Sequence, residues 1–171
     1  EVPTGTAIGS EDGSGLSIIV LASNHEFYAV ENPRQVSAFN YPRRYGPRSP
    51  KFSRGGYVAS NFHKLFLISG TAAVVGHESS FPYNTKLQSE ETFRNLECLC
   101  DTISGLVPGG SKFELDKNSI LRVYLKDPAD FDAVAQQVCE QFNIDRNRVA
   151  FLRGTICRKE LTVENDANKV I

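Results

Sequence analysis

Six basic side chains, Arg34, Arg43, Arg44, Arg48, Lys51 and Arg54, fall within residues 32–54 without a single acid among them. Phe39, Tyr41, Tyr45 and Phe52 are interleaved with them. A guanidinium grips a carboxylate or phosphate with two parallel N–H donors, and a tyrosine adds a hydroxyl donor and a flat apolar wall. Such a set suits a small cyclic molecule carrying carboxylates. A solvated basic loop and an RNA-binding surface are the competing readings of a charge run like this. Pro33, Pro42, Pro47 and Pro50 stiffen the segment, and stiffness favours a preorganised site over a tether. A small-molecule partner is expected, and no nucleic acid.

His77-Glu78 has the residue types of an acid/base pair, but adjacent strand residues face opposite ways, so a structural role is expected. Glu90, Glu91, Arg94 and Glu97 fall at helical spacing and read as a solvated, charge-paired face. Cys98, Cys100, Cys139 and Cys157 contain no C-x-x-C pair, and His25, His63 and His77 are scattered. That arrangement offers no zinc spacing. Reduced thiols in a cytoplasmic protein are expected, with no metal and no cofactor.

These residues need elements to hold them. Residues 1–15 are rich in Gly, Ser and Thr and read as a linker or arm. Residues 16–22 form a continuous β-branched apolar run and read as a strand. Residues 31–56 are irregular, with prolines that block helix and central strand alike. Residues 57–60 and 64–70 read as two strands about the turn Asn61-Phe62-His63, and residues 72–78 continue extended. Ser89 is expected to cap a helix whose apolar positions are Phe93, Leu96, Cys100 and Ile103, with Gly105 as its left-handed C-terminal cap. Ile120–Leu125 reads as a strand. Asp127-Pro128-Ala129-Asp130 opens a second helix, with Phe131, Val134, Val138 and Phe142 as its buried stripe. Strands at Val149–Arg153 and 161–164 follow, before a polar tail. The order β-β-α-β-α-β-β implies an α+β fold, a mixed sheet with both helices on one face.

The length, 171 residues, suits one domain with a core of its own. A net charge of −1 gives no global push toward nucleic acid or a membrane surface. No apolar run approaches the roughly 20 residues of a membrane span, so a soluble protein is expected. The chain opens on Glu1 and contains no methionine, which reads as a processed, truncated or excised piece.

Several blocks together carry a resemblance. Asn32-Pro33-Arg34-Gln35-Val36-Ser37-Ala38, Tyr41-Pro42-Arg43 and Tyr45-Gly46-Pro47-Arg48-Ser49-Pro50 come first. Leu67-Ile68-Ser69-Gly70-Thr71-Ala72, Val75-Gly76-His77-Glu78-Ser79 and Glu91-Thr92-Phe93-Arg94-Asn95-Leu96 follow in order. Phe151-Leu152-Arg153, Ile156-Cys157-Arg158 and Glu160-Leu161-Thr162-Val163-Glu164 complete the set. In this order they resemble the chorismatase family from about Thr4 onward.

The resemblance implies a fold of the RidA (YjgF-like), chorismate-mutase-like type over residues 16–171, as the C-terminal half of a longer enzyme. It implies cleavage of the enolpyruvyl ether of chorismate, releasing pyruvate. Protonating the enol methylene makes an oxocarbenium ion open to water or a neighbouring hydroxyl, and that step needs a carboxylic acid kept protonated in a desolvated pocket. By its place in the last block, Glu164 matches the general acid. Gly70 and Cys157 look like the type that makes 3-hydroxybenzoate, with 4-hydroxybenzoate as a possible co-product; Gly70 also reads as a bulge or close-approach glycine, and Cys157 as an inert thiol. Tyr45, Arg48 and Arg153 are the expected anion ligands. The partners implied are chorismate and either a missing N-terminal half or, for the isolated domain, two further copies in a trimer. A RidA-like enamine or imine deaminase, and a non-catalytic assembly module, are the alternatives.

Overall fold

A strand of Val-Glu-Asn-Asp-Ala-Asn-Lys-Val lies inside the sheet of this protein, and its position organises the rest. The computed structural model describes residues 2–10, 15–60, 63–106 and 112–171. Six strands form one sheet: β1 (Phe27–Val30), β2 (Gly55–Ala59), β3 (Lys64–Ala72), β6 (Ile120–Leu125), β7 (Val149–Arg153) and β8 (Val163–Val170), in spatial order β1-β2-β3-β8-β6-β7. Neighbours are antiparallel except β6 and β7, which are parallel and joined through helix α2 (Phe131–Phe142), as a crossover requires. Two short strands, β4 (Val74–Val75) and β5 (Glu78–Ser79), pair in a small hairpin of their own. Helix α1 (Thr85–Leu106) packs on β3 and β8 and against α2. No helix among the described residues is long and apolar enough to cross a membrane.

Both helices cover the same face. Phe93, Leu96, Leu99 and Ile103 of α1 join Val134, Val138 and Phe142 of α2 in one core with Phe66, Ile68, Val123, Val149, Val163 and Ala167 of the sheet. The α+β mixed sheet with two helices on one face is as expected, and the strand ahead of the basic loop is β1 at Phe27–Val30 rather than residues 16–22.

Several local expectations are corrected. Residues 16–22 form no strand, and Leu16, Ile18, Ile19, Val20 and Leu21 are all exposed, Ile19 at 98%. β-propensity expresses fit to a half-buried pleated surface, and among the described residues none pairs with this run. Helix α1 starts a turn before Ser89, which is fully buried within it. Asn84 is the cap instead, accepting the Leu87 N–H at 3.1 Å. Gly105 lies inside α1 rather than beyond it. Glu91 is not on a solvated face: it is 5% exposed and pairs with both Arg34 and Arg94, fixing the basic loop to α1. Asn61 and Phe62 of the expected turn lie outside the described residues, as do Glu1 and residues 11–14 of the arm.

The largest correction is β8. What reads as a polar tail after Glu164 is a strand held on both sides, by β3 and by β6. Val163 and Ala167 point into the core, while Glu164 and Asp166, offset by one, share the opposite face. Lys169 reaches the Glu114 carbonyl and Asp116 with its stem near Phe113. Two flanking strands satisfy the backbone; Lys169 finds individual partners, while the buried Asn165 amide has no hydrogen-bond partner.

Candidate active site

Glu164 is 6% exposed and lies beside a bulge in β3. The β3–β8 register slips between Ile68 and Thr71, leaving one extra residue on β3, and a bulge re-aims the groups around it. Here the Gly70 N–H turns toward the N-terminal segment, donating to Thr6 Oγ1 at 3.0 Å and to the Gly5 carbonyl at 3.3 Å. Ser69 locks the bulge: its hydroxyl accepts the Gly5 N–H and donates to the Ser53 carbonyl. A Cβ on Gly70 would sit 2.0 Å from Glu164 Oε1 and 3.1 Å from Thr6 Cγ2. Glycine there is the space in which the carboxyl stands.

Glu164, Gly70 and Thr6 open on a cavity of about 390 Å³, which Tyr41, Tyr45, Lys51, Phe52, Arg54, Cys157 and Arg158 also line. Burial pushes the Glu164 carboxyl up to about 7, Asp166 adds to the rise, and Arg54 opposes it. A carboxylic acid near 7 can hold a proton at neutral pH and give it up in a reaction. Burial, with Glu164 nearby, likewise raises the Cys157 thiol above its ordinary value, although the residue as a whole is exposed; that favours the neutral thiol.

The cations come from two directions. Arg54, 4% exposed, follows the basic loop and lies near the rings of Tyr41 and Phe52, at 5.3 and 5.2 Å from their centroids. It donates to the Val36 carbonyl at 2.9 Å and to the Tyr41 hydroxyl, while its Nε has no hydrogen-bond partner. Arg158 lies 3.9 Å above the Tyr45 ring and donates to the His77 carbonyl at 2.9 Å and Ser79 Oγ at 3.0 Å; its Nη2 is buried and unpartnered. Two buried guanidinium nitrogens lacking acceptors, on residues that line the cavity, suit a ligand rich in carboxylate oxygens.

The basic loop is stiff for identifiable reasons. Residues 38–40 and 43–45 form single 3-10 turns. Asn32 Nδ2 donates to the Asn95 carbonyl at 2.8 Å, and Val36 and Gly76 tie the loop to the β4–β5 hairpin. Arg44 reaches Tyr45, His77 and Glu78 together. His77 and Glu78 therefore shape the loop around the cavity.

Comparison with known proteins places this geometry. No family model matches the chain. A 3-hydroxybenzoate synthase from Streptomyces hygroscopicus is 32% identical over 173 aligned residues, 96% of this chain and 49% of the relative. A chorismatase crystal structure superposes with a TM-score of 0.73 at 27% identity, covering 84% of this chain and 44% of that one. Over most of its length the chain is similar to chorismatases. It spans about half the length of the curated relatives it matches. A Rid-family protein from Yersinia pestis, 11% identical with a TM-score of 0.61 over 85% of this chain and its own full length, shows that the fold is Rid-like.

In this chain, Glu164, Gly70, Tyr45 and Cys157 all border one cavity, whereas Arg48 and Arg153 are exposed and do not line it. Arg153 ends the edge strand β7, and Arg48 lies on the outer side of the loop. The sequence reading missed Arg54, Arg158, Lys51, Tyr41 and Thr6 as wall residues. Arg54 stood in the basic run and Arg158 beside Cys157, but charge alone does not distinguish a buried arginine from its exposed neighbours. Nothing in the composition of residues 4–7 marked them as part of a site.

Proposed function

We propose that the chain carries the proton-donating part of a chorismate-cleaving site, with Glu164 as the general acid. The observation that carries this is a carboxyl raised to about 7 in a cavity walled by arginines and tyrosines. Glu164 delivers its proton to the enol methylene, forming a methyl C–H bond. The C=C electrons are consumed, and positive charge develops on the ether carbon and oxygen. Tyr45, Gly70 and Cys157 contact substrate in this reading, together with Arg54 and Arg158, while Arg48 and Arg153 stand outside the cavity.

The cation has two fates. Water adding to it gives a hemiketal, which collapses to pyruvate and a ring diol. A neighbouring ring hydroxyl adding instead closes a cyclic ketal. Loss of a ring proton with cleavage of the other ring C–O bond aromatises the ring and leaves an aryl hemiketal; its collapse, with the hemiketal proton passing to the phenol oxygen, gives hydroxybenzoate and pyruvate, with no net water. The resemblance of Gly70 and Cys157 to the type that makes 3-hydroxybenzoate supports the second fate, with 3-hydroxybenzoate as the product. The similarity to a 3-hydroxybenzoate synthase supports this choice. The test is to incubate the full natural protein with chorismate and separate the products by chromatography. Equal amounts of pyruvate and 3-hydroxybenzoate are expected; absence of chorismate consumption would overturn the reading.

A further inference from the structure

Below Glu164, on the same face of β8, lies a second buried carboxylate that the chemistry above leaves unused. Asp166 is two residues along the strand, so the two side chains project in parallel about 7 Å apart at the backbone. It is 2% exposed. Strand β6 holds it from the side: Arg122 Nε forms an ion pair with Oδ1 at 2.5 Å outside hydrogen-bond geometry, and the Tyr124 hydroxyl donates to Oδ2 at 3.0 Å. The ladder registers both contacts, with Arg122 opposite Asp166 and Tyr124 opposite Glu164. Burying an ion pair in the middle of a sheet is a poor way to gain stability, since apolar residues of similar size do as well or better. A buried carboxylate fixed beside an acid has a direct electrostatic consequence, because like charge disfavours ionisation of its neighbour.

We propose that Asp166 is a positioning residue for the Glu164 proton, a fixed negative charge that holds Glu164 in its acid form, and that Arg122 sets the strength of that hold. This rests on the reading of Glu164 as the proton donor. The charged and titratable groups facing Glu164 assign the direction of each effect. Asp166 on β8 favours the proton, while Arg54, which follows the basic loop, opposes it. Cys157, on the loop before β8, is a neutral thiol at neutral pH. Lys51 and Arg158 are the other cations that line the same cavity. Tyr124 on β6 is pushed up to about 12 by burial and by Asp166, so it remains neutral. Arg122 is the one cation clamped directly to Asp166 among the described residues, and it is 38% exposed at its side chain.

The test reads Glu164 itself. In protein labelled with carbon-13 at the glutamate carboxyls, the Glu164 signal, assigned by its absence in Glu164→Gln, is titrated by NMR without substrate. Asp166→Asn keeps an acceptor for Tyr124 and lowers the midpoint by roughly one to two pH units, from a charge at this separation at an interior dielectric near 20. Arg122→Gln uncovers the Asp166 charge and moves the midpoint up. Opposite movements are expected, and a merely structural role produces neither. A midpoint unmoved in both variants, or moved the same way in both, overturns the proposal. Should Asp166→Asn fail to fold, Arg122→Gln decides alone: an upward move supports the proposal and none overturns it. Because the titration involves no substrate, failure of chorismate cleavage would sink the reading of the reaction and leave this coupling standing.

Discussion

Glu164 makes the stability of this protein depend on pH in an unusual direction. Its folded-state value of about 7 lies above the ordinary 4.5, so between these pH values the folded state binds more protons than the unfolded one. Stability attached to this group is fully present below about 4.5 and is lost as pH rises through 7. The 2.5-unit difference between 4.5 and about 7 corresponds to on the order of 3 kcal/mol. Glu160, Glu78 and Asp116 are shifted downward, so their contributions are lost only as pH falls below the ordinary carboxylate range. Urea unfolding of wild type and Glu164→Gln at pH 5 and pH 8 isolates the term, because glutamine mimics the protonated acid and does not titrate. The variant should gain about 3 kcal/mol relative to wild type between the two pH values, visible as roughly 6–12 °C in Tm. Parallel pH profiles for the two proteins would refute the claim that burial holds this carboxyl protonated.

Gly70→Ala should lower kcat/KM for chorismate by 10- to 100-fold and shift the ratio of hydroxybenzoate to ring diol, because the new methyl displaces the Glu164 carboxyl by about 1 Å; an unchanged rate and ratio would count against the packing at the bulge. Arg54→Met removes the buried cation while keeping a long apolar stem. KM for chorismate should rise roughly 10- to 100-fold, in line with loss of a charged hydrogen bond, and the Glu164 midpoint should move upward, since Arg54 opposes protonation. A KM within threefold of wild type would remove Arg54 from the substrate wall.

The layered fold was legible because α2 and β6 obey plain periodicities: Val134, Val138 and Phe142 recur at helical spacing, and Val123 and Leu125 alternate. Polar β8 was not, because side-chain pattern carries no record of the two strands that flank it. Asp166 looks like a solvent-facing residue until Arg122 and Tyr124 are brought across from β6. The reverse error befell residues 16–22, whose β-branched run has the propensity of a strand but no edge to join. At the site, Glu164 was legible only through its motif; local evidence made it a strand-end glutamate. Arg54 and Arg48 differ by six positions and nothing else in type, yet one is buried between aromatic rings and the other is exposed. Which arginine a loop turns inward is decided by contacts such as Arg54 to Val36 and Tyr41, which sequence spacing does not encode.

The central claim, that Glu164 supplies the proton, is tested most directly by chorismate turnover of Glu164→Gln in the full natural protein at pH 7. Glutamine fits the same space beside Gly70 but has no acidic proton. Loss of a positioned general acid costs typically 10²- to 10⁴-fold, and kcat should fall within that range while the protein remains folded. Turnover within a few-fold of wild type would contradict the account.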